Sequence, residues 1–136
     1  MTTANATPRW ASVLFTVAGL YELALGLVFL FAPQAVFSHF NVTPPNHFGY
    51  VQFSAALLLI FALMFFEIAR APYPRRDLIG YGILMKAAYC GVAGFYLMKG
   101  RLPDMWQPFL IADALFMLGF ALALRCCERK ACAPNV

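Results

Sequence analysis

The chain has 136 residues, 62% of them hydrophobic and only 12% charged, about half the roughly 25% charged residues of an ordinary soluble domain. A chain this short has too much surface for its volume to hide so many apolar side chains in one water-bounded core, which excludes a soluble globular domain. The net charge of +4 does not mark a nucleic-acid binder, because the basic residues flank apolar stretches and form no continuous stripe.

Four apolar stretches follow one another, each long enough to cross a hydrocarbon layer of about 30 Å, which takes roughly 20 helical residues. The first spans Trp10–Ala32 and follows Met1–Arg9. It lacks a clear small-x-small cleavage site and is too long for a signal-peptide core, so it reads as a retained helix. Pro33 ends it. Gln34–Phe40 is apolar but short, with Val36, Phe37 and Phe40 at helical spacing, and reads as an interfacial helix rather than another crossing. Thr43-Pro44-Pro45-Asn46 then turns the chain into the second span, Phe48–Ala69. Ala71-Pro72-Tyr73-Pro74 breaks it before the third, Leu78–Met98; Gly100 and Pro103 separate that from the fourth, Met105–Leu124. A polar tail follows about Glu128. No span alternates as a barrel strand does, and only helices satisfy their own backbone groups in lipid. The expected fold is all-α, a single four-helix transmembrane bundle over residues 1–136.

Arg9, Arg70, Arg75, Arg76, Arg125, Arg129 and Lys130 fall on one side of such a bundle, against Lys99 and Arg101 on the other. The positive-inside rule makes the seven-charge side cytoplasmic, with both termini inside and the protein in the cell inner membrane. Trp10, Tyr50, Tyr73, Tyr96 and Trp106 lie near span ends, where aromatic belts form.

Glu22, Lys86 and Asp113 are ionisable residues inside spans, where a charge costs about 2.5–3.5 kcal/mol and must face protein or a cavity. At helical rise they lie about 18, 12 and 18 Å from the cytoplasmic ends, within one slab where they can meet. Ala11, Ala18, Gly19 and Gly26 share the face of Glu22; Gly82, Cys90 and Ala93 share that of Lys86. Such small residues let membrane helices approach closely, and Ala87/Gly91 with Cys90/Gly94 repeats the spacing. Phe109, Phe116, Met117 and Phe120 surround Asp113, positioned to line a cavity or touch a lipid-like ligand. Two readings stand: an ion cluster that keeps the helices in register, or a site for a proton, a cation or a polar head group. Two acids sharing one lysine leave one surplus negative charge, so one carboxyl is expected to hold a proton or a hydrogen bond.

The remaining candidates have plainer readings. Glu67 and Arg70 form an i,i+3 interfacial pair. His39 and His47 match no compact metal motif and read as loop histidines. Cys126, Cys127 and Cys132 read as free thiols, with no fourth ligand for a metal. No Walker loop, GxSxG, HExxH or dinucleotide fingerprint occurs, so no catalytic residue is assigned and no cofactor is specified.

The stretches GLYELALG (Gly19–Gly26), PPNHFGYVQF (Pro44–Phe53), LIGYGILMKAAY (Leu78–Tyr89) and PDMWQPFLIAD (Pro103–Asp113) resemble those of small four-helix bacterial DoxX-like membrane proteins. The likeness covers residues 10–125. It implies a four-helix membrane fold and, for some relatives, thiosulfate oxidation with electrons passed to quinone; no cofactor motif carries that activity to this chain. The leading functional expectation is a non-enzymatic accessory subunit of a larger membrane complex, or a bundle that binds lipid, quinone or pigment. Its partners are membrane lipid and a larger complex or further copies of itself, not nucleic acid. The alternatives are a small proton-coupled transporter using Glu22 and a DoxX-like membrane redox enzyme.

Overall fold

Each apolar stretch folds into one long helix, since its breakers fall between stretches or, like Pro108, in a first turn where a missing N–H costs little. The computed structural model describes residues 8–131. Among these, α1 covers Arg9–Phe31, α2 Pro33–His39, α3 Gly49–Arg70, α4 Arg76–Met98 and α5 Gln107–Ala131, with one 3₁₀ turn at Asp104–Trp106 before α5. No strand occurs among the described residues. Four helices are long and apolar enough to cross a membrane, with peak mean hydropathies of 2.1, 2.2, 1.4 and 2.0 in chain order. The protein is therefore an all-α bundle and a small multi-pass membrane protein.

The ends follow backbone chemistry. Pro33 takes the first position of α2, and Pro108 falls in the first turn of α5; a missing N–H costs little in either place. Gly100, at φ +64°, closes α4: its N–H donates to the Leu97 carbonyl and that of Arg101 to the Tyr96 carbonyl. This is a Schellman cap, which favours the residue without a Cβ. Asn41, at φ 52°, closes α2 in the same way.

The fourth crossing departs from expectation at its C-terminal end. The helix does not stop at Leu124 or give way to a polar tail at Glu128; it runs to Ala131. No glycine or proline occurs between Gly119 and Pro134, and the last turns are amphipathic. Cys127 is buried beside Phe120 and Ala123 while Arg125, Glu128 and Arg129 face outward. Cys132 lies outside the described residues.

The helices alternate in direction. One apolar cluster joins Ala11 and Phe15 near the start of α1 to Phe65 and Ile68 at the end of α3, Ile79 at the start of α4, and Phe120 and Ala123 in α5. A second, at the opposite end, joins Phe29, Phe37, Ala55 and Met105. The first is held by stacked rings, Phe15 on Phe120 at 4.6 Å and Phe65 beside Phe120 at 5.0 Å. Helix α1 packs along α3 and α4 along α5, with sparser contact between the two pairs. The pairing of α1 with α3 depends on small residues. A Cβ on Gly26 would come within 2.6 Å of Leu59 and 3.0 Å of the Ala55 carbonyl oxygen; one on Gly19 would come within 2.6 Å of Phe66. The second small-residue spacing does not act as a contact within the chain. Ala87 and Gly91 are exposed, and nothing lies within 4 Å of a Cβ built on Gly91 or Gly94.

The outer surface is apolar along its length: Leu20, Ile60, Leu63, Leu84, Val92, Ile111 and Leu115 all point outward. A face of this composition is stable only against hydrocarbon or another protein.

Candidate functional site

Between the two apolar clusters the bundle buries three charges. Glu22 of α1 is 1% exposed, Lys86 of α4 is 0% exposed and Asp113 of α5 is 5% exposed. The Lys86 ammonium donates to Glu22 Oε1, and to Asp113 Oδ1 at 2.6 Å. It also lies over two rings, 5.0 Å from the centroid of Tyr21 and 5.4 Å from that of Phe116. Ion pairing and ring faces together replace the water that the ammonium lost. The sequence places these three residues in one slab, and the structure brings all three together.

The cluster is placed by its neighbours on the same helices. Ala18, Gly19 and Gly26 bring α1 against α3 on the buried side. A Cβ on Gly82 would come within 2.8 Å of the Phe65 ring, so α4 approaches α3 closely one turn before Lys86. Once these approaches are made, Glu22 and Asp113 face Lys86 from two helices.

Beside the cluster, between the α1/α3 pair and the α4/α5 pair, lies a cavity of about 430 Å³. Its inner end is formed by Glu22 and Asp113, its walls by Leu25, Phe29, Ala55, Leu58, Met85 and Phe109 among others, and its outer end by Pro45 and Tyr50. Ligand pockets of about 300–1,000 Å³ are typically apolar with a few convergent polar groups, which describes this one. Lys86 does not line it, whereas Glu22 and Asp113, which it bonds, both do. Tyr21 and Tyr89 also line it. The Tyr89 hydroxyl donates to the Trp106 carbonyl at 3.2 Å. Among the described residues the buried Tyr21 hydroxyl has no hydrogen-bond partner.

Of the three phenylalanines that surround Asp113 in sequence, Phe109 lines the cavity and the other two do not. Phe116 covers Lys86 and packs on Tyr21 at 5.3 Å. Phe120 is fully buried in the far cluster. Trp106 does not join a lipid-facing belt alone: it stacks on Phe29 at 5.5 Å and meets Phe37 edge-on. Tyr21, Tyr89 and Ser54 gave no sequence signal by type, although Tyr21 adjoins Glu22 and Tyr89 is one turn from Lys86.

The plainer candidates have structural roles. Glu67 accepts from Arg70 at 3.0 Å and forms an ion pair with Arg75 at 2.8 Å, the second reaching across the Pro72–Pro74 loop. His47 Nδ1 accepts the Gly49 N–H at 3.0 Å, satisfying an amide at the start of α3. His39 packs edge-on against Phe40. Among the described residues no three His, Cys, Asp or Glu side chains gather closely enough to hold a metal ion.

No protein-family model matches this chain, and none of the curated proteins or solved structures compared with it is similar.

Proposed function

We propose that this protein holds an amphiphile of the lipid, quinone or pigment class between its two helix pairs. The observation that carries the reading is the apolar cavity of about 430 Å³ that ends on two buried carboxylates. Its walls suit a hydrocarbon or aromatic body and its floor suits a polar head. The positive-inside rule orients the bundle with both termini in the cytoplasm, so the Tyr50 end of the cavity faces the outer leaflet. A bundle loaded in this way serves as an accessory subunit that presents its ligand to a larger membrane complex.

Native mass spectrometry of protein extracted in mild detergent tests the reading. The wild type is expected to carry a bound small molecule. Leu58→Trp, which adds bulk at the cavity wall, is expected to lose it. A wild type that leaves the membrane with nothing bound, and takes up neither lipid nor prenyl quinone when these are added, contradicts the proposal.

The presence of Glu22 on the cavity floor supports a second reading, proton-coupled transport with Glu22 as the coupling carboxylate. Flux in proteoliposomes that Glu22→Gln abolishes would favour it; unchanged flux would remove Glu22 from the mechanism. A quinone recovered by the mass measurement would fit the amphiphile reading and, among the uses of such a ligand, favour the DoxX-like redox one.

A further inference from the structure

We infer that the head group of the bound amphiphile carries a single positive charge, an ammonium or quaternary ammonium on an aromatic or branched hydrocarbon body. This rests on the amphiphile-binding reading and narrows its ligand class.

Charge arrangement is the first support. Glu22 and Asp113 both line the cavity, whereas Lys86, which bonds both and lies over the rings of Tyr21 and Phe116, does not. A guest entering the cavity therefore meets carboxylate before ammonium. Lys86 engages Glu22 Oε1 and Asp113 Oδ1, and no hydrogen bond among the described residues engages the second oxygen of either acid. With both acids ionised, two carboxylates against one ammonium leave a surplus negative charge, which a cationic guest cancels in place of the proton that an empty cluster would hold. Among the described residues no basic side chain lines the cavity. The contribution of α3 is Tyr50, Val51, Ser54, Ala55 and Leu58, none of them a cation. Among apolar walls an unmatched charge is costly, and a monocation on the ligand cancels it.

The walls are the second support. Six rings line the cavity, those of Tyr21, Phe29, Tyr50, Tyr89, Trp106 and Phe109. Ring faces attract cations, and cages of aromatic side chains recognise quaternary ammonium groups for this reason.

Hydrogen-bond sense is the third. The carboxylates are acceptors, and the Tyr89 hydroxyl is already spent on the Trp106 carbonyl. Only the Tyr21 hydroxyl remains as a buried donor without a partner among the described residues. A quinone carbonyl placed on the floor would face acceptors with its own acceptors, whereas any cationic head meets them with the opposite charge and a protonated amine adds a donor as well.

Three probes on one naphthylalkyl body test the inference, bearing a trimethylammonium, an uncharged tert-butyl or a sulfonate head. Binding is followed by Trp106 fluorescence in a Trp10→Phe background in zwitterionic nanodiscs, with the signal from empty discs subtracted. The trimethylammonium probe is expected to bind about tenfold tighter than its uncharged isostere, and the sulfonate not at all. Asp113→Asn and Glu22→Gln, which each leave a neutral cluster, are expected to erase that preference. Equal binding of the charged and uncharged probes to wild type overturns the inference and leaves the amphiphile reading intact. Tighter binding of the sulfonate overturns it as well. If no probe binds, the inference fails, and the native mass measurement decides whether the broader reading fails with it. The wild-type comparison needs no variant, so it stands even if the substitutions impair folding.

Discussion

Lys86 is the residue on which the interior turns. Its ammonium is shared by two carboxylates and capped by two rings, so no water is needed to hold it. Removing it leaves two acids packed together without a counterion. Lys86→Met is therefore expected to destabilise the bundle by about 3–5 kcal/mol, measured by thermal unfolding in detergent. Glu22→Gln keeps an acceptor for the ammonium and is expected to lose less. A Lys86→Met protein that melts with the wild type would show that the ion pairs contribute nothing to the fold. The three charges were legible because an ionisable side chain in a 20-residue apolar run is conspicuous, and helical rise alone places them at one depth. The hydroxyl of Tyr21 was not legible. Tyrosine is ordinary in a membrane span, and only packing against Phe116 and Lys86 reveals that its oxygen is buried and, among the described residues, unmet. Arg75 was missed as a partner of Glu67 for a similar reason: the i,i+3 rule finds Arg70 on the same helix, but no spacing rule reaches across the Pro72–Pro74 loop.

At the scale of the elements, small residues mean different things on different helices. On α1 they are contacts: Gly26 sits against Leu59 and a backbone oxygen that cannot swing aside. Gly26→Val is expected to force α1 from α3 and cost about 1–3 kcal/mol. On α4, Gly91 faces open space, and Gly91→Ala is expected to change stability by no more than about 0.5 kcal/mol. Both are read from the same detergent melt; equal losses would show that the α1/α3 approach has been misassigned. Small-xxx-small spacing states that a helix permits close approach. It does not state which neighbour takes the offer: on α1 that neighbour is α3, whereas Ala87 and Gly91 lie exposed on α4. Helix boundaries set by proline and glycine were legible to within two residues, since φ restriction and the missing N–H are local. The end of α5 was not. Hydropathy marks where the apolar run stops, whereas the helix continues for two turns on the amphipathic pattern that buries Cys127.

For the whole molecule, composition points to a membrane protein, and the structure adds what composition could not, two helix pairs with a cavity between them. A space of that kind depends on which side chains fail to fill the gap between pairs, a property of the assembled bundle. The orientation, the midplane depth of the charges and the side from which a ligand enters all rest on four crossings. Sidedness labelling tests this most directly, in protein whose native cysteines have been replaced. Membrane-impermeant maleimide applied to intact cells is expected to label Arg101→Cys and to spare Pro74→Cys and Arg129→Cys until the membrane is opened. Labelling of Pro74→Cys and Arg129→Cys from opposite sides would contradict the four-crossing bundle, and with it the buried charge cluster as the floor of a lipid-facing cavity.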